Sequence, residues 1–393
     1  MSNQIEFYSD SIHVNGIDPK FGEAGKDFPI DYPIDALNFF AIEQKYTDDC
    51  CSISKNPRNN YLYSIKWFAF RTGANMPSKY FYIPPSVLSD VKAGKCKIAI
   101  NNATEGVDYD FTDTNLQLKK VNINGTDFYT LSEVLANTCK VFDLQMEHFI
   151  YVTSNLRLKP KIPITVVKYD YLFYNLIDKS YDYPILHDRE YKILSLNKKQ
   201  RPHRTKFINY LIQSDQLDGN CVSAHWLDMR INPTHELNPR FHTREHHNDV
   251  GNPELYLDSY VNFVSETWFE TSDQYVHPEE ELVLTEKLAK PLMMKLPFVL
   301  IGRSGMLEEL RNRGFKTFME WWDESYDLET DSNLRMNLVI DLFDELNSFS
   351  ESDWKSISKE MEDVLVHNFN HFKYLAGKEN KNFVKQIETI FDK

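Results

Sequence analysis

Apolar and polar residues follow one another along the chain in short blocks that predict two successive α/β regions. In the first region, residues 97–100 and 149–153 are apolar runs of strand length, and each continues into a polar loop. Between them, residues 131–141 have the apolar spacing of an amphipathic helix. Strand, polar loop, helix and strand in this order are typical of a parallel sheet covered by helices. Residues 1–85 have little periodicity and predict short strands and loops.

The same order of elements returns in the second half of the chain. Four strands are predicted there, at residues 192–196, 221–224, 260–264 and 298–301. Helices are predicted at residues 203–213, from Thr285, and at 306–313, 333–346 and 352–375. Because 393 residues exceed the size at which one hydrophobic core keeps growing, two domains are expected. We predict an α/β domain at residues 1–190 and a second at residues 191–393.

Composition narrows the class of protein. Hydrophobic residues make up 42% and charged residues 26%, which is a globular balance. No window approaches the roughly 18 consecutive apolar residues of a membrane span, and the first residues lack the pattern of a signal peptide. The five cysteines are scattered without CxxC spacing, which favours reduced thiols over disulfides or zinc. The expected location is the cytoplasm, or a host cytoplasm if the chain is viral.

The charge distribution argues against a protein that coats nucleic acid broadly. The formal net charge is −14, whereas phosphate contacts need clustered lysines and arginines. One local exception is the basic segment 198–206, which follows a predicted strand. A local basic cleft is therefore compatible with the acidic whole.

Polar residues in the second region follow strands or open helices, where ligand sites of parallel α/β domains lie. The loop 198–204 joins a strand to a helix, and backbone N–H groups and cationic side chains at such a point suit a diphosphate. Residues 323–327 predict an exposed acidic turn. The candidate binding residues are Arg201, His203, Arg204, Glu266, Thr285, Glu286, Lys287 and Gly302.

The order of these elements resembles the nucleotide-sugar domain of GT-B glycosyltransferases, specifically the α-1,3-fucosyltransferase type. In that type a strand ending in glutamate precedes a Val-Thr-Glu-Lys helix, which is followed by an apolar strand and a glycine turn. The matching residues here are Glu266, 284–288 and 297–302. The stretch 195–341 is also similar to glycosyltransferases encoded by tailed bacteriophages. That similarity lies in the segments 195–204, 285–287, 314–318 and 322–327.

The resemblance implies two Rossmann-like domains facing across a cleft, with a nucleotide-sugar donor as substrate and no separate cofactor. Arg201 or Arg204 would clamp the donor diphosphate, and Lys287 would add positive charge against the leaving group. Glu286 would accept hydrogen bonds from ribose hydroxyls, and Glu266 would hold sugar or ribose. This arrangement needs no metal, because arginines and helix dipoles neutralise the charge. Glu266-Thr-Trp replaces the Glu-Asn-Ser of the fucosyltransferases, so neither the donor sugar nor the base is implied.

The residue that activates the acceptor is expected in the first domain. Glu105 lies in a loop after a buried strand and is the first candidate for a base that deprotonates an acceptor hydroxyl in an inverting displacement. Asp110 and Asp108 are the alternatives. The acceptor itself stays open between a saccharide and a hydroxymethylated base in phage DNA, which would need a flipped nucleotide.

Two other classes of function remain open at this stage. His242, His246 and His247, with Asp249, are candidate metal ligands on a polar loop and suggest a metal-dependent hydrolase. We expect no metal there, because adjacent histidines on polar loops are usually solvated. The other class is a non-catalytic binding or virion protein with a decayed glycosyltransferase fold.

Overall fold

The computed structural model shows a chain that divides into two compact units. Unit 1 comprises Met1–Tyr171, Gln274–Val283 and Gly377–Lys393, and unit 2 comprises Leu172–Asp273 and Leu284–Ala376. The boundary predicted from the sequence lies later, between residues 190 and 191. The structure describes residues 5–8, 51–53, 60–66, 80–81, 83–102, 121–123, 126–128, 131–160, 162–174, 185, 188–227, 229, 253–269 and 282–392.

Unit 1 contains a parallel sheet, as the first block of the sequence predicts. Its described strands are β1 (Ile5–Tyr8), β2 (Cys51–Ile53), β3 (Tyr61–Lys66), β4 (Cys96–Asn102), β7 (Phe149–Thr153) and β8 (Thr165–Lys168), in the order β2-β1-β3-β4-β7-β8. Strands β5 (Val121–Ile123) and β6 (Thr126–Phe128) form a separate antiparallel pair. The helices are α1 (Pro85–Lys92), α2 (Leu131–Phe142) and α3 (Tyr171–Tyr174).

The core of unit 1 explains why these segments adopt their structure. All five residues of β7 are buried, because both faces of the strand are covered. Its sequence is therefore a continuous apolar run, without the alternation of apolar and polar residues that a half-exposed strand shows. Helix α1 begins with a proline at its first position and packs Val87 and Val91 into the core. It ends before Gly94, whose φ of +74° permits the left-handed turn that stops a helix.

Unit 2 contains a second parallel sheet, of four described strands. These are β9 (Tyr191–Asn197), β10 (Cys221–Ala224), β11 (Ser259–Ser265) and β12 (Phe298–Ile301), in the order β10-β9-β11-β12. The helices are α4 (Pro202–Gln213), α5 (Pro253–Leu257), α6 (Glu286–Met293), α7 (Met306–Asn312), α8 (Ser332–Ser348), α9 (Glu351–Glu360) and α10 (Glu362–Phe391). The described part of the chain is thus α/β with two parallel sheets in a Rossmann-like layout.

The strand order of unit 2 reverses at β9. Strand β10 follows β9 along the chain and lies on one side of it, whereas β11 lies on the other side. In open α/β sheets such a reversal opens a crevice at the carboxyl ends of the two central strands, and ligands bind there. Strands β9 and β11 pair as far as Leu194 and Asn262, three residues before each strand ends. The crevice therefore lies between the ends of β9 and β11.

The prediction of one last helix at residues 352–375 was wrong. Two helices occupy this region, α9 and α10, separated at the buried residue Met361. Helix α10 also continues past Gly377 to Phe391, because Phe383 and Ile387 are buried. A glycine inside a helix costs only about 1 kcal/mol relative to alanine, which such burial can exceed.

The predicted exposed acidic turn was also wrong, because two of its carboxylates are buried. Asp327 accepts hydrogen bonds from the backbone N–H groups of Leu307 and Glu308, at 3.0 and 3.1 Å, and so caps the start of α7. Glu324 accepts from the Phe318 N–H at 2.7 Å and pairs with Arg311 at 2.9 Å. These acids hold the local fold.

Among the described residues, no helix is both long and apolar enough to span a bilayer.

Candidate functional site

The candidate site is the carboxyl edge of the unit 2 sheet. Six of the predicted binding residues are connected there by direct contacts, namely His203, Arg204, Glu266, Thr285, Glu286 and Lys287. Arg204 and His203, in the first turn of α4, both contact the backbone at Glu266, which follows β11. The side chains of Thr285 and Lys287 reach the Glu266 carboxylate from the start of α6. Residues from three separate elements thus meet at one edge, as expected for strands whose carboxyl ends align.

Arg204 is a buried guanidinium whose donors are largely used within the chain. It donates from Nη2 to the carbonyl oxygens of Ser265 and Glu266, at 2.8 and 2.9 Å, and from Nη1 to that of Lys199, at 3.0 Å. Nε donates to the Ser265 hydroxyl at 3.3 Å. Burial lowers the pKa of Arg204 from its ordinary value. The side chain therefore joins α4 to the end of β11, and this duty competes with clamping a ligand.

His203 lies on the other side of the same backbone. Its Nε2 is 3.0 Å from the Glu266 carbonyl oxygen, to which it donates, and its ring stacks on Phe269 with centroids 5.2 Å apart. Burial, together with the charges of Arg204 and Arg201, lowers the pKa of His203 to about 3. The imidazole is consequently neutral at physiological pH.

This shift predicts a pH dependence of stability. Between pH values of about 6.5 and 3 the unfolded chain binds a proton at His203 that the folded chain excludes, so the free energy of unfolding falls as pH falls. The slope from this group approaches about 1.4 kcal/mol per pH unit in that window and vanishes above it. Urea unfolding of the wild type and His203→Gln between pH 4.5 and 7.5 measures it. The variant keeps a donor for the Glu266 carbonyl oxygen, and its free energy of unfolding should fall less steeply as pH falls. Equal pH dependence of the two proteins would contradict the low pKa of His203.

Arg201 differs from Arg204 in that its guanidinium is uncommitted. It is the N-cap residue of α4, and no side-chain hydrogen bond caps this helix start. Its Cζ lies over the ring of Trp268, 5.5 Å from the centroid. Among the described residues its guanidinium has no hydrogen bond or ion pair. Of the two predicted clamps, Arg201 is the one with donors available to an anion.

A compact group of charged residues occupies the start of α6. The Thr285 hydroxyl donates to the buried Glu266 carboxylate, at 2.8 Å from each oxygen, and also caps α6 by accepting from the Lys287 N–H. Lys287 Nζ lies 3.5 Å from Glu266 Oε2 and 3.3 Å from Glu286 Oε1. Two carboxylates thus share one ammonium group.

The electrostatics of this group follow from its composition. Burial lowers the pKa of Lys287, but the carboxylates of Glu286 and Glu266 outweigh it and raise the pKa above its ordinary value. The lysine is therefore charged, and its charge is balanced by the two acids. Carboxylates accept hydrogen bonds and an ammonium donates them, so this group has the chemistry that hydroxyl groups need.

Gly302 follows β12 and lies close against α7. A Cβ added there would meet Met306 Sδ at 2.5 Å, a distance that real contacts do not reach. Its carbonyl oxygen accepts a hydrogen bond from Arg335 Nε at 3.1 Å. The glycine thus brings the end of β12 close to α7, and any ligand contact there remains a prediction.

Arg335 is a residue of this edge that sequence reasoning missed. It is 1% exposed and donates to the carbonyl oxygens of Gly302, Glu329 and Phe269. Its Cζ lies 4.4 Å from the centroid of the Phe269 ring. Burial and the neighbouring guanidinium of Arg303 lower the pKa of Arg335 to about 10. One side chain therefore holds three separate segments of the edge together.

The apolar spacing of α8 does not predict that Arg335 is buried. In the sequence, Leu334, Leu338, Leu342 and Leu346 follow the four-residue step of an amphipathic helix, which predicts that they share its buried face. In the structure, however, Leu334 is 54% exposed. The buried face instead includes Arg335, Met336 and Val339. Hydrophobic periodicity cannot identify a buried arginine, because it counts arginine as a polar residue of the exposed face.

The remaining predicted site residues cannot be placed. Glu105, Asp108 and Asp110 lie outside the described residues, as do the histidines 242, 246 and 247 with Asp249. The described part of β4 ends at Asn102. In the described ranges, no group of three or more His, Cys, Asp or Glu side chains is arranged to hold a metal ion.

Comparisons with known proteins identified no relative. No family model, no curated protein and no solved structure matches this chain.

Proposed function

We propose that this chain is a nucleotide-sugar-dependent glycosyltransferase of the GT-B type, with unit 2 as its donor-binding unit. The proposal is supported by Arg201, whose guanidinium has no hydrogen bond among the described residues, and by the charged group of Glu266, Glu286 and Lys287 at the same edge of the sheet. A nucleotide sugar presents both matching chemistries, an anionic diphosphate and several hydroxyls. The motif order that resembles the fucosyltransferase donor domain supports the same function.

The diphosphate would bind at the start of α4. Arg201 offers a guanidinium fork, which matches phosphate oxygens in a bidentate manner. The uncapped first turn of α4 adds backbone N–H groups and the positive end of the helix dipole. Arg204 would act beneath them by fixing α4 to the end of β11.

The hydroxyl groups of ribose or of the donor sugar would bind at the start of α6. Glu286 and Glu266 would accept their hydrogen bonds, and the Lys287 ammonium would donate. Because two carboxylates already balance Lys287, we assign it to hydroxyl recognition ahead of phosphate neutralisation. Stabilising the negative charge of the leaving group would then be a secondary role of Lys287.

In the proposed reaction the acceptor hydroxyl oxygen forms a bond to the anomeric carbon while the bond from that carbon to the diphosphate oxygen breaks. The hydroxyl proton passes to Glu105, and the departing diphosphate takes the bonding electrons. Arg201 and the α4 terminus would stabilise the charge that develops on the diphosphate, without a metal. The acceptor would be a saccharide or a modified DNA base, and the reaction would invert the anomeric centre.

The donor site is tested by Arg201→Met. A charge-assisted hydrogen bond is worth about 1.5–3 kcal/mol, so nucleoside diphosphate affinity should fall about 10- to 150-fold in calorimetry. Lys206→Met is the matched control, because it removes an equal charge from the exposed side of the same helix. Equal affinities of Arg201→Met and the wild type would contradict the site. Tight donor binding without turnover would favour the non-catalytic alternative.

A further inference from the structure

Trp268 is a residue of the crevice that neither the motifs nor the proposed function assigns. It follows the end of β11 by three residues and is partly exposed. One face of its indole ring carries the Arg201 guanidinium. Its Nε1 is buried and has no hydrogen-bond partner in the part of the chain that the structure describes. A buried donor without an acceptor is unfavourable, so this N–H is a group that a ligand oxygen would satisfy.

An unpartnered indole N–H is not by itself diagnostic in this chain. Trp322 and Trp354 also have buried Nε1 atoms without partners. Trp322 packs against Phe318 with centroids 5.1 Å apart, and Trp354 stacks on Tyr260 at 5.6 Å, so both belong to aromatic packing. Trp268 is distinguished by its place at the strand reversal and by the uncommitted cation on its ring.

A second unpartnered group lies across the same crevice. Asn197 ends β9 and is 1% exposed, and its amide nitrogen donates to the Ser195 hydroxyl at 3.1 Å. Its Oδ1 is buried and has no partner among the described residues. The pairing of β9 with β11 reaches Leu194 and Asn262, three residues before the two strands end at Asn197 and Ser265. Unsatisfied polar atoms therefore lie at the end of β9 and three residues after the end of β11, on the two strands between which ligands of open α/β sheets bind.

We propose that Trp268 is a ligand-contacting residue of the diphosphate subsite, where its indole N–H donates to one phosphate oxygen beside Arg201. The proposal rests on the proposed function and extends it to a residue that stands where the fucosyltransferase pattern has serine. The Arg201 guanidinium lies over the indole ring, and a cation in this position keeps its N–H groups available to oxygens. An indole and a guanidinium side by side offer donors to two adjacent phosphates.

This pairing has a consequence for specificity. A ligand with two phosphates would engage Arg201 and Trp268 together, whereas a single phosphate would engage one of them. Diphosphates should therefore bind more tightly than monophosphates. The preference should depend on the indole N–H, because the N–H is the group that contacts the second phosphate.

Two substitutions separate the contributions of Trp268. Trp268→Phe keeps an aromatic ring for Arg201 and removes the N–H, and Trp268→Leu removes both. The matched control is Trp321→Phe, which removes an indole N–H that donates to Glu360 at 3.2 Å in another part of unit 2. Thermal unfolding without ligand identifies any variant that is not folded. The probes are inorganic pyrophosphate, orthophosphate, and the diphosphates ADP, CDP, GDP and UDP.

We expect Trp268→Phe to weaken pyrophosphate binding about fivefold and Trp268→Leu at least about tenfold. Trp321→Phe should match the wild type, and orthophosphate binding should change less than pyrophosphate binding. Pyrophosphate affinities that are unchanged in both Trp268 variants would overturn the proposal.

The two ligand series distinguish this inference from the proposed function. Nucleoside diphosphates that bind equally to the wild type and to both Trp268 variants would overturn the role of Trp268 and leave the glycosyltransferase proposal standing. Pyrophosphate binding that depends on Trp268, without tighter binding of any nucleoside diphosphate, would support the anion subsite and contradict the nucleotide-sugar donor. Absence of binding in both series would overturn both.

Discussion

Replacing Arg335 with methionine is expected to destabilise unit 2 by about 2–4 kcal/mol. The substitution leaves the carbonyl oxygens of Gly302, Glu329 and Phe269 without their donor in a buried place. Methionine recovers part of this loss, because the cost of burying the guanidinium disappears with it. The hydrogen bonds should dominate, because one planar group serves three separate segments.

Thermal unfolding measures this effect, and the melting temperature should fall by about 5–15 °C for a unit of this size. Arg335→Lys should recover little, because an ammonium cannot reproduce the fork. Leu334→Ala is the control, since the neighbouring leucine is 54% exposed and surface changes usually stay within about 0.5 kcal/mol. If the melting temperature of Arg335→Met stayed within about 2 °C of the wild type, the contacts would not hold the edge together.

Glu105→Gln is expected to lower glycosyl transfer by about 10²- to 10⁴-fold while donor affinity stays near that of the wild type. Glutamine keeps the size and polarity of the side chain but cannot accept the acceptor's proton at a carboxylate oxygen. The contrast follows from the proposed division of labour, in which unit 2 binds the nucleotide and Glu105 belongs to the chain segment of unit 1.

Single-turnover rates and calorimetry with the nucleoside diphosphate measure the two effects separately. Arg201→Met is the reciprocal control, because it should weaken donor binding and slow leaving-group departure together. Near-normal rates in Glu105→Gln would move the base to Asp108 or Asp110, or into the acceptor itself. A parallel loss of donor affinity would show that Glu105 acts on binding instead of proton transfer.

The four strands of the unit 2 sheet and strands β4 and β7 of unit 1 were predicted from the sequence, whereas residues 1–85 gave only a general expectation of short strands and loops. The predicted bounds of β7, β10 and β12 agree with the structure, because strands buried on both faces appear as continuous apolar runs. The polar groups after β9 and β11 were predictable for a related reason. Parallel strands align their carboxyl ends, so a residue that follows one strand lies near the residues that follow its neighbours.

Helix ends and polar partners were less predictable. The break at Met361 and the continuation of α10 past Gly377 depend on which side chains find a core, and periodicity does not contain that information. The burial of Glu324 and Asp327 was not predictable either. It depends on the backbone N–H groups and the arginine that donate hydrogen bonds to their carboxylates.

The sequence by itself therefore determined the α/β class, the parallel strands and the edge at which Arg201, Arg204 and Glu266 meet. The tertiary structure alone decided what each group is free to do. Arg201 and Arg204 belong to the same basic segment of the sequence. Arg204 donates its hydrogen bonds to carbonyl oxygens at the end of β11 and in the loop before α4. Arg201 lies over the ring of Trp268, and its guanidinium has no hydrogen bond among the described residues. The physical reason is that local sequence sets the position of a side chain, whereas its hydrogen-bond partners come from segments distant in the chain.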